Sequence, residues 1–369
     1  MGVSYPTYPL PLPNFPLAMS LSGVVVVTTF SLCLIYASTV AYSSKIMDPY
    51  KALGIILNPN GTLTRLSPPP QSPPSPDPTL PTPVRSKDLT INQSKHTWAR
   101  IYLPHKAFYN SPNFKMPLIV FYHGGGFIFY SAASTYFHDF CVRMANQTQS
   151  VVVSVDYRLA PEHRLPAAYE DSVEALYWIK TSNDPWLTRH ADYSRCFLMG
   201  ESAGGNIAYI AGLRAAAIVD QIKPLKIQGL VLIQPFFGGA KRTPSELRLA
   251  EDGTIPLAIT DLMWNLSLPI GVDRDYKYSN PKAKEWDMVL DQIRVLGWRV
   301  AVFGCEGDPL VDRGKDLVEL LEAKRVHVVG QFYQGGRHGI FAGDPSMSIK
   351  VFDLVKSLRH DSSTQLLVV

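Results

Sequence analysis

From about Trp98 onward, compact apolar runs alternate with runs whose apolar residues recur at helical spacing. Pro117–Tyr122 (PLIVFY), Ser150–Val155 (SVVVSV), Cys196–Met199 (CFLM), Ile227–Gln234, Val300–Phe303 and Val326–Phe332 are short and apolar and predict buried strands. Residues 166–181 set Ala168, Val173, Leu176, Tyr177 and Ile179 at helical spacing behind a leading proline. Asn206–Val219 is alanine-rich and apolar nearly all round, as a buried helix would be, and Pro345–Leu358 makes a last helix. Strands alternating with helices predict an α/β fold, a central mostly parallel sheet with helices on both faces.

The front of the chain is a different material. Sixteen of the 30 prolines fall in the first 85 residues, and no Asp, Glu, Lys, Arg or His precedes Lys45. Residues 68–83, PPPQSPPSPDPTLPTP, cannot hold a helix or a central strand, because proline lacks the amide donor and fixes φ; they read as an extended segment lying on or off the surface. Leu21–Ala41 is uncharged and about long enough to cross a ~30 Å hydrocarbon core as a helix. Lys45 and Lys51 follow it and favour a cytoplasmic C-terminal side. The same stretch also reads as a cleaved signal or as a non-spanning extension, and the three readings stay open here. The expected organisation is an extension over residues 1–44 and a single catalytic domain over 45–369.

Composition then narrows the function. The formal charge of +4, from 35 basic and 31 acidic residues, forms no basic stripe, so a dedicated nucleic-acid binder is excluded. Cys33, Cys141, Cys196 and Cys305 lie far apart with no C-x-x-C pair, which removes zinc and thiol-redox motifs. Cys196 opens a strand-like run and reads as a small core residue.

Gly200-Glu201-Ser202-Ala203-Gly204 is a G-x-S-x-G that follows the strand CFLM and precedes a helix expected to begin near Gly205 or Asn206. Alone the pattern is weak; in a strand–turn–helix setting it reads as a nucleophile elbow that holds the serine hydroxyl exposed. A serine hydroxyl needs a base, and histidine titrates near working pH. His338, in Gly335-Gly336-Arg337-His338-Gly339 after the last strand, is the best placed; His163 and His190 sit on polar segments. The base needs a carboxylate. Asp308 follows the strand AVFG in a turn enforced by Pro309, while Glu306 and Asp312 are competitors, Asp312 reading as a helix cap. The chain order Ser202, Asp308, His338 is that of α/β-hydrolases. The run His123-Gly124-Gly125-Gly126-Phe127 after PLIVFY offers bare N–H groups for an oxyanion. Gly124, Gly125, Gly126 and Ala203 are the candidate donors. Phe127, Tyr130, Tyr157 and Ile340, each beside a motif, are candidate pocket walls and equally candidate core residues.

These stretches resemble the plant carboxylesterases of the hormone-sensitive-lipase-like branch of α/β-hydrolases. The matching residues are HGGGF at 123–127, DYRLAPEHRLPAAYED at 156–171, GESAGGN at 200–206, QPFFGG at 234–239, DPLVDR at 308–313 and HGIF at 338–341. The resemblance spans about Asp48 to Leu358. It implies a cap over the site, built from the N-terminal segment and an insertion near 238–285. It also implies a serine carboxylesterase that hydrolyses small esters through an acyl-enzyme, with no cofactor and no metal. Relatives of this fold include lyases and cyclases that use the pocket without net hydrolysis. They also include a gibberellin receptor whose histidine position is not histidine, and the presence of His338 argues against that reading.

Overall fold

The computed structural model describes residues 48–77, 79, 81–108 and 114–358. Leu21–Ala41, Cys33 and the 1–44 extension lie outside the described residues. Among the described residues, no helix is long and apolar enough to cross a membrane.

The strands are β1 (Ile55–Leu57), β2 (Leu63–Arg65), β3 (Val84–Asn92), β4 (Thr97–Pro104), β5 (Met116–Tyr122), β6 (Val151–Asp156), β7 (Ala191–Glu201), β8 (Ile227–Ile233), β9 (Arg299–Cys305) and β10 (His327–Tyr333). The helices are α1 (Pro49–Ala52), α2 (Thr135–Thr148), α3 (Ala167–Thr181), α4 (Pro185–His190), α5 (Ala203–Ala216), α6 (Pro244–Arg248), α7 (Leu257–Ser267), α8 (Asp287–Val295), α9 (Val311–Ala323), α10 (Ile340–Gly343) and α11 (Pro345–Ser357). β1 and β2 form a separate antiparallel hairpin, and the other eight strands make one sheet in the order β10-β9-β8-β7-β5-β6-β4-β3. The pairs from β10 across to β6 are parallel, whereas the pairs β6–β4 and β4–β3 are antiparallel, so that β4 alone runs against the rest.

The six expected strands are β5 through β10. Every residue of β5 is buried, as a continuous apolar run requires when helices cover both faces. On one face Phe137, Phe140 and Met144 of α2 pack with Ile119 and Phe121 of β5 and with Phe352 of α11. On the other, α5 is buried at every residue except Arg214. The edge pair β3–β4 gave no strand signal. β3 reads VRSKDLTIN, with four consecutive polar residues and with Asp88 and Thr90 exposed, as suits an edge strand that meets water. β4 hides a charge in an apolar run: Arg100 is 2% exposed and donates from Nε and Nη2 to Asp88 at 2.6 and 2.8 Å.

Two sequence expectations are corrected here. α5 begins at Ala203, not near Gly205 or Asn206, and ends at Ala216 rather than Val219. Gly204 and Gly205 are poor helix formers and read as turn, but they stand where the helix meets other backbone too closely for a side chain. A Cβ on Gly204 would lie 2.0 Å from the Tyr122 carbonyl oxygen. Asp312 does not cap its own helix: Leu310 is the N-cap of α9, and Asp312 Oδ2 accepts the Ser245 N–H of α6 at 2.7 Å. The proline-rich segment lies on the domain rather than off it. Ser72 N–H donates to Ala133 O, Thr135 N–H to Pro70 O, and Arg100 Nη1 to Ser72 O.

The insertion between β8 and β9 carries α6, α7 and α8, and α1 from the N-terminal side packs against α7. Two polar clamps tie this cap to the sheet domain. Arg313 of α9 donates to Glu246 of α6 from Nε (2.8 Å) and Nη2 (3.1 Å), and to Lys241 O at 2.7 Å. Asn206 of α5, fully buried, donates to Phe236 O and Tyr278 O and accepts from the Tyr169 hydroxyl. Arg313→Ala leaves the Glu246 carboxylate buried without its partner. That change should cost about 3 kcal/mol of stability in urea unfolding, and an unchanged midpoint would show that the clamp does not hold the cap.

Candidate active site

β7 ends at Glu201 and α5 starts at Ala203, which leaves Ser202 alone to reverse the chain. It does so at φ 56, ψ −120, a conformation that L-residues rarely adopt. The surroundings hold it there. Ser202 N–H donates to Ile233 O at 2.8 Å and Ser202 O accepts from Phe236 N–H at 2.9 Å, so both of its backbone groups are tied to the chain at the end of β8. A Cβ on Gly200 would lie 2.1 Å from Gly204 O, so the two glycines permit the tightness of the turn.

Three strand ends meet at this point. Asp308 lies in the turn after β9, 1% exposed, with Oδ1 accepting Leu310 N–H at 2.9 Å. His338 lies in the loop between β10 and α10. Its Nδ1 is 3.0 Å from Asp308 Oδ2 and its Nε2 is 2.9 Å from Ser202 Oγ. In the tautomer these partners select, Nδ1–H donates to Asp308 and the Ser202 hydroxyl donates to Nε2. Burial works to lower the proton affinity of His338, but the charge and hydrogen bond of Asp308 and the charge of Glu201 outweigh it, so its pKa rises above the ordinary 6.5. The competitors are engaged elsewhere. Glu306 pairs with Lys315 at 2.7 Å, Asp312 serves α6, and His190 packs against Phe108. His163 is exposed. His123 is buried, pushed down to about 4 by burial, and its Nδ1–H donates to Gly124 O at 2.8 Å.

The glycine loop lies beside Ser202. Gly124 approaches so closely that a Cβ would stand 3.2 Å from the serine Cβ. Gly125, at φ +106, would drive a Cβ to 2.4 Å from Phe129 O. Its carbonyl accepts the N–H groups of Ile128 and Phe129, which curls the loop. The N–H of Ala203, at the first position of α5, has no acceptor within its own helix.

A cavity of about 1020 Å³ opens over these groups. Gly124, Gly125, Gly126, Ser202 and His338 form its base. Tyr130, Tyr136, Phe236, Met263 and Ile340 form much of its wall, and Leu53 and Pro69 close it from the N-terminal side. Of the four expected pocket walls, Tyr130 and Ile340 line the cavity and Phe127 and Tyr157 do not. Phe127 turns into the aromatic cluster of Trp264, Phe236 and Tyr169. Tyr157 stacks on His123 with ring centroids 4.3 Å apart and donates to His123 O at 2.8 Å, which supports the glycine loop from beneath. Adjacency to a motif does not reveal which way a side chain turns from its loop, and here two of the four turn inward.

Two further buried residues lie within the matching stretches GESAGGN and QPFFGG, but the sequence alone assigns neither a role. Glu201 lines the cavity and accepts Ala342 N–H at 3.3 Å; burial, with Asp308 adding, pushes its carboxyl up to about 8. Gln234, directly after β8, is 2% exposed and donates from Nε2 to Asp308 Oδ2 at 2.6 Å. Its traces in the sequence are the stretch QPFFGG, which it opens, and its place as a polar residue closing an apolar strand before a proline.

Comparison with known proteins agrees with this architecture. Residues 119–342 match the model of a family with the alpha/beta hydrolase fold. Carboxylesterase 20 of Arabidopsis thaliana is 50% identical over 317 residues, 85% of this chain and 97% of that protein. The 3-O-acetylpapaveroxine carboxylesterase CXE2 of Papaver somniferum is 42% identical over 84% of this chain and 98% of its own length. Among solved structures, an esterase of Pyrobaculum calidifontis superposes with a TM-score of 0.63 at 29% identity, covering 74% of this chain and 84% of that one. With its serine on a strained strand–helix turn, a family match over more than half of its residues and relatives that align over more than four fifths of it, the chain belongs to the α/β-hydrolase family, among the plant carboxylesterases, and is a carboxylic ester hydrolase.

Proposed function

We propose that Ser202, His338 and Asp308 act as nucleophile, base and orienting carboxylate of ester hydrolysis. The observation that supports this reading most is the unbroken pair of contacts, Ser202 Oγ to His338 Nε2 at 2.9 Å and His338 Nδ1 to Asp308 Oδ2 at 3.0 Å. As Oγ forms its bond to the ester carbonyl carbon, His338 Nε2 takes the hydroxyl proton and Asp308 stabilises the imidazolium. The carbonyl oxygen becomes an oxyanion beside the N–H groups of Gly125, Gly126 and Ala203, with Gly124 keeping the approach open. Collapse expels the alcohol, which receives the proton from Nε2. Water, deprotonated by the same nitrogen, then cleaves the acyl-enzyme and restores Ser202.

The substrate is a small-molecule ester, and we propose a short acyl group on a bulky apolar alcohol. The cavity of about 1020 Å³ is at the upper end of the ~300–1,000 Å³ that holds a drug-sized ligand, and its walls are largely aromatic and aliphatic. The poppy relatives, named for an acetyl ester, support the short acyl side. We assign the catalytic unit to residues 45–369 on the change of composition after the uncharged front of the chain. The uncharged Leu21–Ala41 followed by Lys45 and Lys51 supports a tether that leaves this unit on the cytoplasmic side.

Ser202→Ala should lower turnover of a p-nitrophenyl acyl ester by on the order of 10⁴-fold and abolish stoichiometric labelling by an organophosphate; hydrolysis undiminished in that variant ends the assignment. Because His338 acts in its neutral form and its pKa is raised, kcat/KM should fall as pH drops through a midpoint above 6.5. A profile flat to pH 4 would remove His338 as the base. Among aryl esters of equal leaving-group pKa, a multi-ring aryl acetate should give the highest kcat/KM and a palmitate the lowest; preference for palmitate would overturn the substrate class.

A further inference from the structure

Gln234 occupies the gap between the strand that carries the serine and the strand that carries the aspartate. Its backbone N–H donates to Phe303 O of β9 at 2.8 Å, while the preceding carbonyl, Ile233 O, accepts the Ser202 N–H. It sits in a left-handed conformation, φ 42, directly before Pro235. A proline disfavours the right-handed helical region for the residue before it, and the neighbouring strands hold what remains. Nothing in strand formation calls for a buried amide side chain at this place.

That side chain spends its hydrogen-bonding capacity on the site. Nε2 donates to Asp308 Oδ2 at 2.6 Å and to Arg337 O at 3.1 Å, and it also approaches Cys305 Sγ at 3.3 Å. Oε1 accepts the Gly339 N–H at 2.9 Å. The amide therefore grips the residue before His338 and the residue after it, and with the same group grips the carboxylate that His338 leans on. Its orientation is determined by its partners. A flipped amide would set Oε1 against a carboxylate and a carbonyl and Nε2 against an N–H.

We infer that Gln234 is a positioning residue of the hydrolysis, holding Asp308 and the His338 loop in one register and moderating the pull of Asp308 on His338. The inference rests on the proposed roles of Ser202, His338 and Asp308. Asp308 Oδ2 receives two donors, His338 Nδ1–H and Gln234 Nε2–H, while Oδ1 takes the Leu310 N–H. The positive end of the amide dipole thus points at the oxygen on which the imidazolium charge depends, and it disfavours that charge. The other ionisable groups around His338 are Glu201 at the end of β7, Asp252 in the cap and Arg337 beside it in the loop. The amide is the neutral member of this set that touches both the aspartate and the histidine loop.

The experiment measures pH profiles of kcat and KM for Gln234→Leu and Gln234→Glu, with kcat expressed per organophosphate-titrated Ser202. Gln234→Leu keeps the bulk and removes every polar contact. It should lower kcat by about 10²-fold through misplacement of His338, leave KM within a few-fold, and move the acid limb of kcat/KM to higher pH by about half a unit or more. Gln234→Glu keeps the shape, and a protonated carboxyl can still donate to Asp308 and accept from Gly339. Its kcat should lie between wild type and Gln234→Leu, and as it ionises beside Asp308 the acid limb should again move upward. A residue that merely filled space would lower the titrated fraction and the melting temperature without moving the limb. Wild-type kcat per titrated site in Gln234→Leu, or an unmoved acid limb in Gln234→Glu, overturns the inference, and Gln234→Glu decides alone should the leucine variant not fold. If Ser202→Ala retains activity, the triad reading fails; if Ser202→Ala is inactive while both Gln234 variants behave as wild type, only the role of Gln234 fails.

Discussion

The close approach of α5 to the end of β5 is the contact on which the site depends. The position of a Cβ on Gly204 is 2.0 Å from Tyr122 O and 2.6 Å from His123 O, so backbone meets backbone where the first turn of the helix passes the head of the glycine loop. Because that gap is closed, the chain has one residue in which to turn from β7 into α5, and the residue is forced to positive φ. The same contact brings the first turn of α5 against the head of the glycine loop. The elbow and the glycine loop are two sides of one packing constraint, which explains why two motifs so far apart in sequence recur in a single cavity base.

The cap is anchored by the same helices that carry the site. α9 starts just after Asp308, and its first turn supplies Asp312 and Arg313 to α6 of the cap. α5 starts just after Ser202, and its first turn supplies Asn206 to the carbonyls of Phe236 and Tyr278. A displacement of the cap is therefore transmitted to the turns that hold the serine and the aspartate. In this light the runs GESAGGN and DPLVDR are compound motifs. One end of each presents a reacting group or its support, and the other end fastens the roof.

Electrostatically two buried carboxyl groups, Asp308 and Glu201, act on the histidine. Asp308 is buried with three donors, from His338, Gln234 and Leu310, so its ionised form is satisfied without water. Glu201, next to the serine, has its carboxyl pushed up to about 8 by burial, and the charge it carries adds to that of Asp308 in raising the pKa of His338. The strained serine and the raised glutamate result from crowding strand ends under a cap, whereas the raised histidine reflects its carboxylate neighbours acting against burial.

What the sequence determined by itself is the order of the strands β5 to β10, the parallel α/β class, and the four stretches around His123, Ser202, Asp308 and His338. These signals are local: a strand buried on both faces is an apolar run, and a turn that meets backbone needs glycine. Tertiary structure alone decided the rest. The edge strand β3 is largely polar, and the buried Arg100 of β4 is intelligible only opposite Asp88. The start of α5 at Ala203 contradicts helix propensity, because packing against Tyr122 outweighs the cost of two glycines. Phe127 and Tyr157 left the pocket for the core because side-chain direction after a loop depends on neighbours that the local sequence does not contain. Gln234 became legible only when three strand ends converged on it, since a hydrogen bond between residues 74 positions apart is a property of the sheet order and not of any run of residues.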